Sequence, residues 1–149
     1  MMGQLAAQDT SGTAPQAASW RVDLGRRAGA SARRVLVVDD EESLRHMLQL
    51  LLRREGYEPV GVPTVEAALR ELGQRPYDIV ITDLRMPGKS GMDLVDEIRA
   101  RGLETTVVVM TAYGSRDIAI EAMKRGAYDY LSKPFEADEL VLLLRKAEE

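Results

Sequence analysis

The chain has 149 residues, a formal net charge of −4 and no cysteine, which suits one domain with an ordinary core and excludes a disulfide framework, a thiol nucleophile and a cysteine-ligated metal. No apolar run is long enough to cross a membrane and the first residues lack a secretory signal, so a cytoplasmic protein is expected. The mildly acidic balance argues against direct, non-specific binding to nucleic acid.

The charge is unevenly spread. Residues 1–34 hold five Arg and two Asp, net +3, while 35–149 hold 15 basic and 22 acidic groups, net −7. The opening stretch is rich in Ala, Gln, Ser, Thr and Gly and has no sustained apolar period. Residues 1–33 are therefore expected to form a disordered or flexible leader, with Trp20 a solvated side chain rather than a docking motif.

From Arg34 onward strands and helices alternate. VLVV (35–38), DIVIT (78–82) and TVVVM (106–110) are continuous apolar runs, the pattern of parallel strands covered on both faces. YEPVGV (57–62) and AYDYL (127–131) are weaker, and Pro59 makes the former an edge strand or a poorly paired one. Helices are expected over 41–55, with Leu44, Met47, Leu48 and Leu51 as the buried stripe and Gly56 as the C′ residue. Others are expected over 64–73 (Thr64 as N-cap, Gly73 as stop), 91–101, 116–125 (Ser115 as cap) and from about Glu136. The order βαβαβαβαβα makes an α/β, doubly wound domain with a five-stranded parallel sheet and five helices.

Four of these runs end in reactive side chains. Asp39 and Asp40, Asp83, Thr111 and Lys133 fall at the ends of separate strands, where an open parallel sheet gathers its ligand-binding crevice. Two carboxylates about 4 Å apart repel by roughly 4 kcal/mol at an effective dielectric near 20. Three together must protonate, separate or bind a cation, and hard oxygen donors point to Mg²⁺. Asp83 then qualifies as a nucleophile that forms an acyl phosphate. Lys133 and Thr111 would meet the charge on the phosphoryl oxygens.

VLVVDDE, PYDIVITDLRMPGKSG, VVVMTAYG and YDYLSKPF together resemble the receiver (phosphoacceptor) domain of bacterial two-component response regulators, over residues 34–149. The resemblance implies a flavodoxin-like strand order 2-1-3-4-5 and a phosphorylation-dependent signalling switch rather than a conventional enzyme, with self-catalysed phosphotransfer and autodephosphorylation. It implies Asp83 as phosphoacceptor, Thr111 and Tyr130 as switch residues and Lys133 as the catalytic lysine. Asp39, Asp40, Asp83 and the backbone carbonyl of Arg85 are the implied Mg²⁺ site, and a cis Lys133–Pro134 bond is implied too. Arg85 and Tyr113 occupy positions that tune hydrolysis of the aspartyl phosphate in that family. MTAYGSRDIAIEAMKRGAYDYLSKPFEADEL is similar to receivers of the nitrogen-regulator-type sigma-54 activators. That branch implies a sensor histidine kinase as partner, an AAA+ sigma-54 activator and DNA-binding domain as output, and a phosphorylation-dependent homodimer. The chain carries neither output part and is read as an N-terminal fragment of a longer regulator.

Each residue has a plainer reading. The acid pair could cap a helix, Asp83 could open a turn, Thr111 could cap, Lys133 could be a solvated loop charge and Tyr130 could be core. His46 lies off the apolar stripe and reads as an exposed helix residue. Two other classes share part of the chemistry. A haloacid-dehalogenase-type enzyme would want Asp-x-Asp after the first strand, and a nucleotide- or flavin-binding module would want a glycine-rich cradle there; the chain instead enters DDEES. In the last helix Leu140, Leu143, Leu144 and Ala147 form one stripe, leaving Leu142 opposite and Val141 at its edge as a candidate contact surface.

Overall fold

The computed structural model describes residues 33–112 and 114–148. Residues 1–32 of the expected leader, Trp20 among them, and Tyr113 lie outside the described residues.

The strands are β1 (Arg34–Val38), β2 (Glu58–Val62), β3 (Ile79–Asp83), β4 (Thr106–Ala112) and β5 (Asp129–Lys133). The helices between and after them are α1 (Glu42–Arg54), α2 (Val65–Gln74), α3 (Gly91–Ala100), α4 (Arg116–Lys124) and α5 (Ala137–Glu148). All strand pairs are parallel and the sheet order is β2-β1-β3-β4-β5. The expected doubly wound, five-stranded architecture is therefore observed, with β2 and its Pro59 at an edge.

Strand alternation sorts the core into two layers. Val35, Val37, Ile79, Ile81, Val108 and Met110 face one side, where they pack with Leu48, Leu51 and Leu52 of α1 and Leu140, Leu143 and Leu144 of α5. Leu36, Val38, Val80, Val107 and Val109 face the other side, against Val65, Ala68 and Leu72 of α2, Leu94, Val95 and Ile98 of α3, and Ala122 of α4. Val35 to Val38 are wholly buried. Burial on both faces is why these runs are apolar without alternation, and each such side chain contributes about 1.5–3 kcal/mol.

Local chemistry explains three of the helix ends. Thr64 accepts a hydrogen bond from the Ala67 N–H at the start of α2, and Ser90 and Asp93 form a capping box at α3. Gly56 takes a φ of +93° directly after the α1 C-cap, a conformation that favours glycine.

Four expectations need correction. Met47 is 45% exposed, and Leu52 takes the core place expected for it, because the buried arc of α1 centres on Leu48, Leu51 and Leu52. α2 continues through Gly73 to Gln74; glycine weakens a helix by only about 1 kcal/mol, and the helix stops instead where Arg75, the residue before Pro76, turns extended. Ser115 precedes α4 without a side-chain capping bond. β5 runs two residues later than expected, since pairing with β4 begins at Val108–Asp129 and ends at Ala112–Lys133. That shift carries Lys133 itself to the strand end.

Candidate functional site

The order of strands reverses between β1 and β3, and ligand crevices of such sheets open there, beyond the carboxyl ends of the strands. Asp39 follows the last residue of β1, Asp83 is the last of β3, Thr111 is next to last in β4 and Lys133 is the last of β5. Asp39 is fully buried, Thr111 is 3% exposed and Asp83 8% exposed. The Lys133 ammonium lies 2.8 Å from Asp83 Oδ2 and 3.3 Å from Asp39 Oδ2, so it ties β5 to β3 and β1.

Asp39, Asp40 and Asp83 each turn one carboxylate oxygen into a cluster whose members all lie within 4.8 Å of one another. At a Mg–O distance of about 2.0–2.1 Å, oxygens on opposite sides of one ion stand about 4.2 Å apart. The cluster therefore fits a small hard cation after a slight closure, with waters completing the shell. The donor set is all oxygen, and His46, exposed on α1, is not part of it. Asp83 Oδ1 also accepts from the Arg85 N–H at 3.1 Å, which folds the β3–α3 loop over the acid.

The electrostatics support the same reading. Burial pushes the Asp39 carboxyl above the ordinary carboxylate value; the Glu41 N–H and the Lys133 ammonium pull it back, and the Asp83 charge pushes it up again. Burial works against the Lys133 ammonium, but its hydrogen bond and attraction to Asp83, with a further share from Asp39, outweigh that and leave it above the usual lysine value. The cluster holds more negative charge than a single ammonium balances, which is the condition a divalent cation relieves.

Two residues of the site were not legible as such. Gly91, first in α3, approaches the end of β3 so closely that a Cβ there would collide with the Asp83 carbonyl oxygen and stand 3.0 Å from Leu84 Cα. The sequence marks it only as a poor helix former at the start of the helix expected over 91–101. Arg45 on α1 donates from its guanidinium to the Asp39 carbonyl oxygen at 2.7 Å; it falls outside every motif and nothing in the sequence points to it. Beside the acids lies a cavity of about 540 Å³, lined by Leu44 and Met47 of α1, by Asp83 and Lys133, and by Pro134 and Phe135 after β5. The Lys133–Pro134 bond is cis, as expected.

Residues 35–145 match the family model described as the response regulator receiver domain. The chain belongs to that family. Among curated relatives of this receiver domain, the response regulator protein FleR of Pseudomonas aeruginosa is 45% identical over 115 residues, covering 77% of this chain and 24% of FleR. The response regulator protein PilR of the same organism is 40% identical over 117 residues, covering 78% of this chain and 26% of PilR. The chain thus spans about a quarter of the length of these relatives. Among solved structures, the receiver domain of NtrX from Brucella abortus superposes with a TM-score of 0.73 at 36% identity, covering 76% of this chain and 96% of that one. Membership carries phosphorylation-dependent signalling in two-component systems as the class of function. Among the described residues, no helix is long and apolar enough to cross a membrane.

Proposed function

We propose that this receiver domain accepts a phosphoryl group on Asp83 from a sensor histidine kinase and passes the change to an output domain. The observation that carries the reading is Lys133 bonded to both Asp83 and Asp39, beside three carboxylates within 4.8 Å. An isolated structural acid would need no such company. In the transfer, an Asp83 oxygen forms the new P–O bond as the donor's P–N bond breaks, and the donor nitrogen keeps the bonding pair. Lys133 orients Asp83 and stays paired with the phosphoryl oxygens, and the Thr111 hydroxyl donates to another of them. Asp40, Asp83 and the Arg85 carbonyl, with Asp39 behind them, would hold Mg²⁺, which supplies charge withdrawal from the phosphoryl oxygens. The same residues later admit the water that hydrolyses the acyl phosphate, so the domain catalyses its own gain and loss of the group without being a conventional enzyme. The largely apolar cavity flanked by Leu44, Met47, Pro134 and Phe135 accommodates the donor protein's face.

The phosphoryl group adds about −2 charge and three acceptors at the strand ends. Thr111 and Lys133 move to meet it, the half-buried Tyr130 turns into the space beside Thr111, and the face formed by α4, β5 and α5 rearranges. The output is an AAA+ sigma-54 activator with a DNA-binding domain, controlled through phosphorylation-dependent dimerisation in the cytoplasm. The receiver itself contacts neither nucleic acid nor membrane. Likeness to FleR, PilR and NtrX supports this branch.

Acetyl phosphate with Mg²⁺ tests the reading by intact mass. Wild type should gain one phosphoryl group, Asp83→Asn and Asp83→Ala none, and chelation of the metal should abolish the gain. Labelling of Asp83→Ala at the wild-type rate would refute the assignment.

A further inference from the structure

We infer that Arg45 is a positioning residue for the acid pair: its guanidinium fixes the Asp39–Asp40 peptide and so aims the Asp40 carboxylate at the cation. The inference rests on the proposed Mg²⁺ site. Asp39 is held at four points by four segments. Its N–H donates to the Val62 carbonyl at 3.2 Å, one carboxylate oxygen accepts from the Glu41 N–H at 2.9 Å, and the other faces Lys133 at 3.3 Å. Its carbonyl oxygen accepts from Arg45 at 2.7 Å, a charge-assisted bond at the short end of the range.

A peptide unit is planar, so the direction of the Asp39 carbonyl sets the position of the Asp40 nitrogen and Cα. Asp40 is exposed, and no hydrogen bond to its side chain is found among the described residues. Its orientation in the cluster therefore depends on the backbone that carries it. Arg45 is the side chain that grips that backbone.

The fold makes room for the grip. Arg45 and Gln49 lie over Gly61 of β2, where a Cβ would stand 2.9 Å from Arg45 Cγ and 2.5 Å from Gln49 Oε1. The absence of a side chain at Gly61 lets the Arg45 stem lie flat across the β1–β2 edge and reach the carbonyl. Arg45 is half-buried, so its geometry is held more firmly than that of an open surface arginine.

The test uses the whole chain and MgCl₂ as the probe. Titration calorimetry on the unphosphorylated protein gives the Mg²⁺ affinity. Acetyl phosphate labelling across Mg²⁺ concentrations gives a midpoint and a plateau rate separately. Arg45→Met keeps the stem and removes the donors; it should weaken Mg²⁺ binding about three- to tenfold and raise the labelling midpoint by the same factor. Its plateau rate should stay within about twofold of wild type. Arg45→Lys, which restores a charged donor, should fall between the two, and it carries the test if the Met variant does not fold. An Arg45→Met protein that folds and binds Mg²⁺ as wild type does would overturn the inference. So would a reduced plateau with an unchanged midpoint, since that places Arg45 in the chemistry instead. In either case wild-type binding and Asp83-dependent labelling leave the proposed function standing; a wild type that binds no Mg²⁺ overturns both.

Discussion

Asp39 shows how burial and charge compete at one residue. It is fully buried beside two other carboxylates, and its carboxyl is raised above the ordinary value despite the Lys133 ammonium 3.3 Å away. A raised acid means that the folded state binds its proton more readily than the unfolded chain. The resulting cost to stability is full above the folded-state value and is relieved as pH falls through it towards the ordinary carboxylate value of 3.8. Without divalent cation, Asp39→Asn should therefore melt at or above the wild-type temperature at pH 7, and the gap should narrow as pH falls; calorimetric melting across pH 4–8 reads both. Lys133 behaves in the opposite sense. Its raised value gives stability that is present below about pH 10.5 and is lost as pH rises through the folded-state value. Asp40 is the exposed acid of the three, free to meet a hydrated ion directly, so Asp40→Ala should lose more Mg²⁺ affinity than Asp39→Ala in a calorimetric titration. Equal binding by wild type and Asp40→Ala would count against the assignment.

At the scale of elements, α3 and α5 carry the sharpest consequences. α3 begins against the backbone of Asp83, and only glycine leaves room there. Gly91→Ala should destabilise the domain by about 1–3 kcal/mol, as overpacking does. It should also slow labelling of Asp83, because α3 or the β3–α3 loop must shift; urea denaturation and the mass assay read the two effects. In α5 the expected stripe is buried at Leu140, Leu143 and Leu144 and partly exposed at Ala147, while Leu142 is 71% exposed. Val141 packs partly against the core. Leu142→Glu should thus leave folding and phosphorylation intact while weakening phosphorylation-dependent dimerisation, read by sedimentation. An unfolded mutant would mean that Leu142 is core after all. The far end of α5 is anchored independently, through Arg145 to Glu55 at 3.0 Å and through the Tyr57 hydroxyl to Glu148.

For the molecule as a whole, the acid cluster joins function to stability. A cation that binds only the folded state adds RT ln(1 + [L]/Kd), about 1.4 kcal/mol at ten times Kd. Mg²⁺ should therefore raise the melting temperature of wild type, and the gain should vanish in Asp40→Ala. The same linkage reaches across the sheet, because the four site strands come from both halves of the chain and meet only when β1, β3, β4 and β5 are paired.

The strands and their order of appearance were legible because a sheet buried on both faces demands apolar runs, and VLVV, IVIT and VVVM are short and rich in β-branched residues, as buried strands are. The strand-end positions of Asp39, Asp40, Asp83, Thr111 and Lys133 were legible for a related reason: each stands at or beside the end of a strand, and strand ends of a parallel sheet converge. Element boundaries were less so. Gly73 looked like a stop, yet α2 passes through it, because packing of Leu72 and its neighbours outweighs a propensity of about 1 kcal/mol. Met47 and Leu52 exchanged roles because an apolar side chain fits either flank of a helical stripe until the sheet beneath fixes the buried arc. The roles of Gly91 and Arg45 came from tertiary structure alone. One depends on how near a helix start comes to the Asp83 carbonyl, the other on how an arginine crosses Gly61 to reach Asp39. Both are distances between segments far apart in the chain or folded back on themselves, and no local pattern of residue types encodes such a distance.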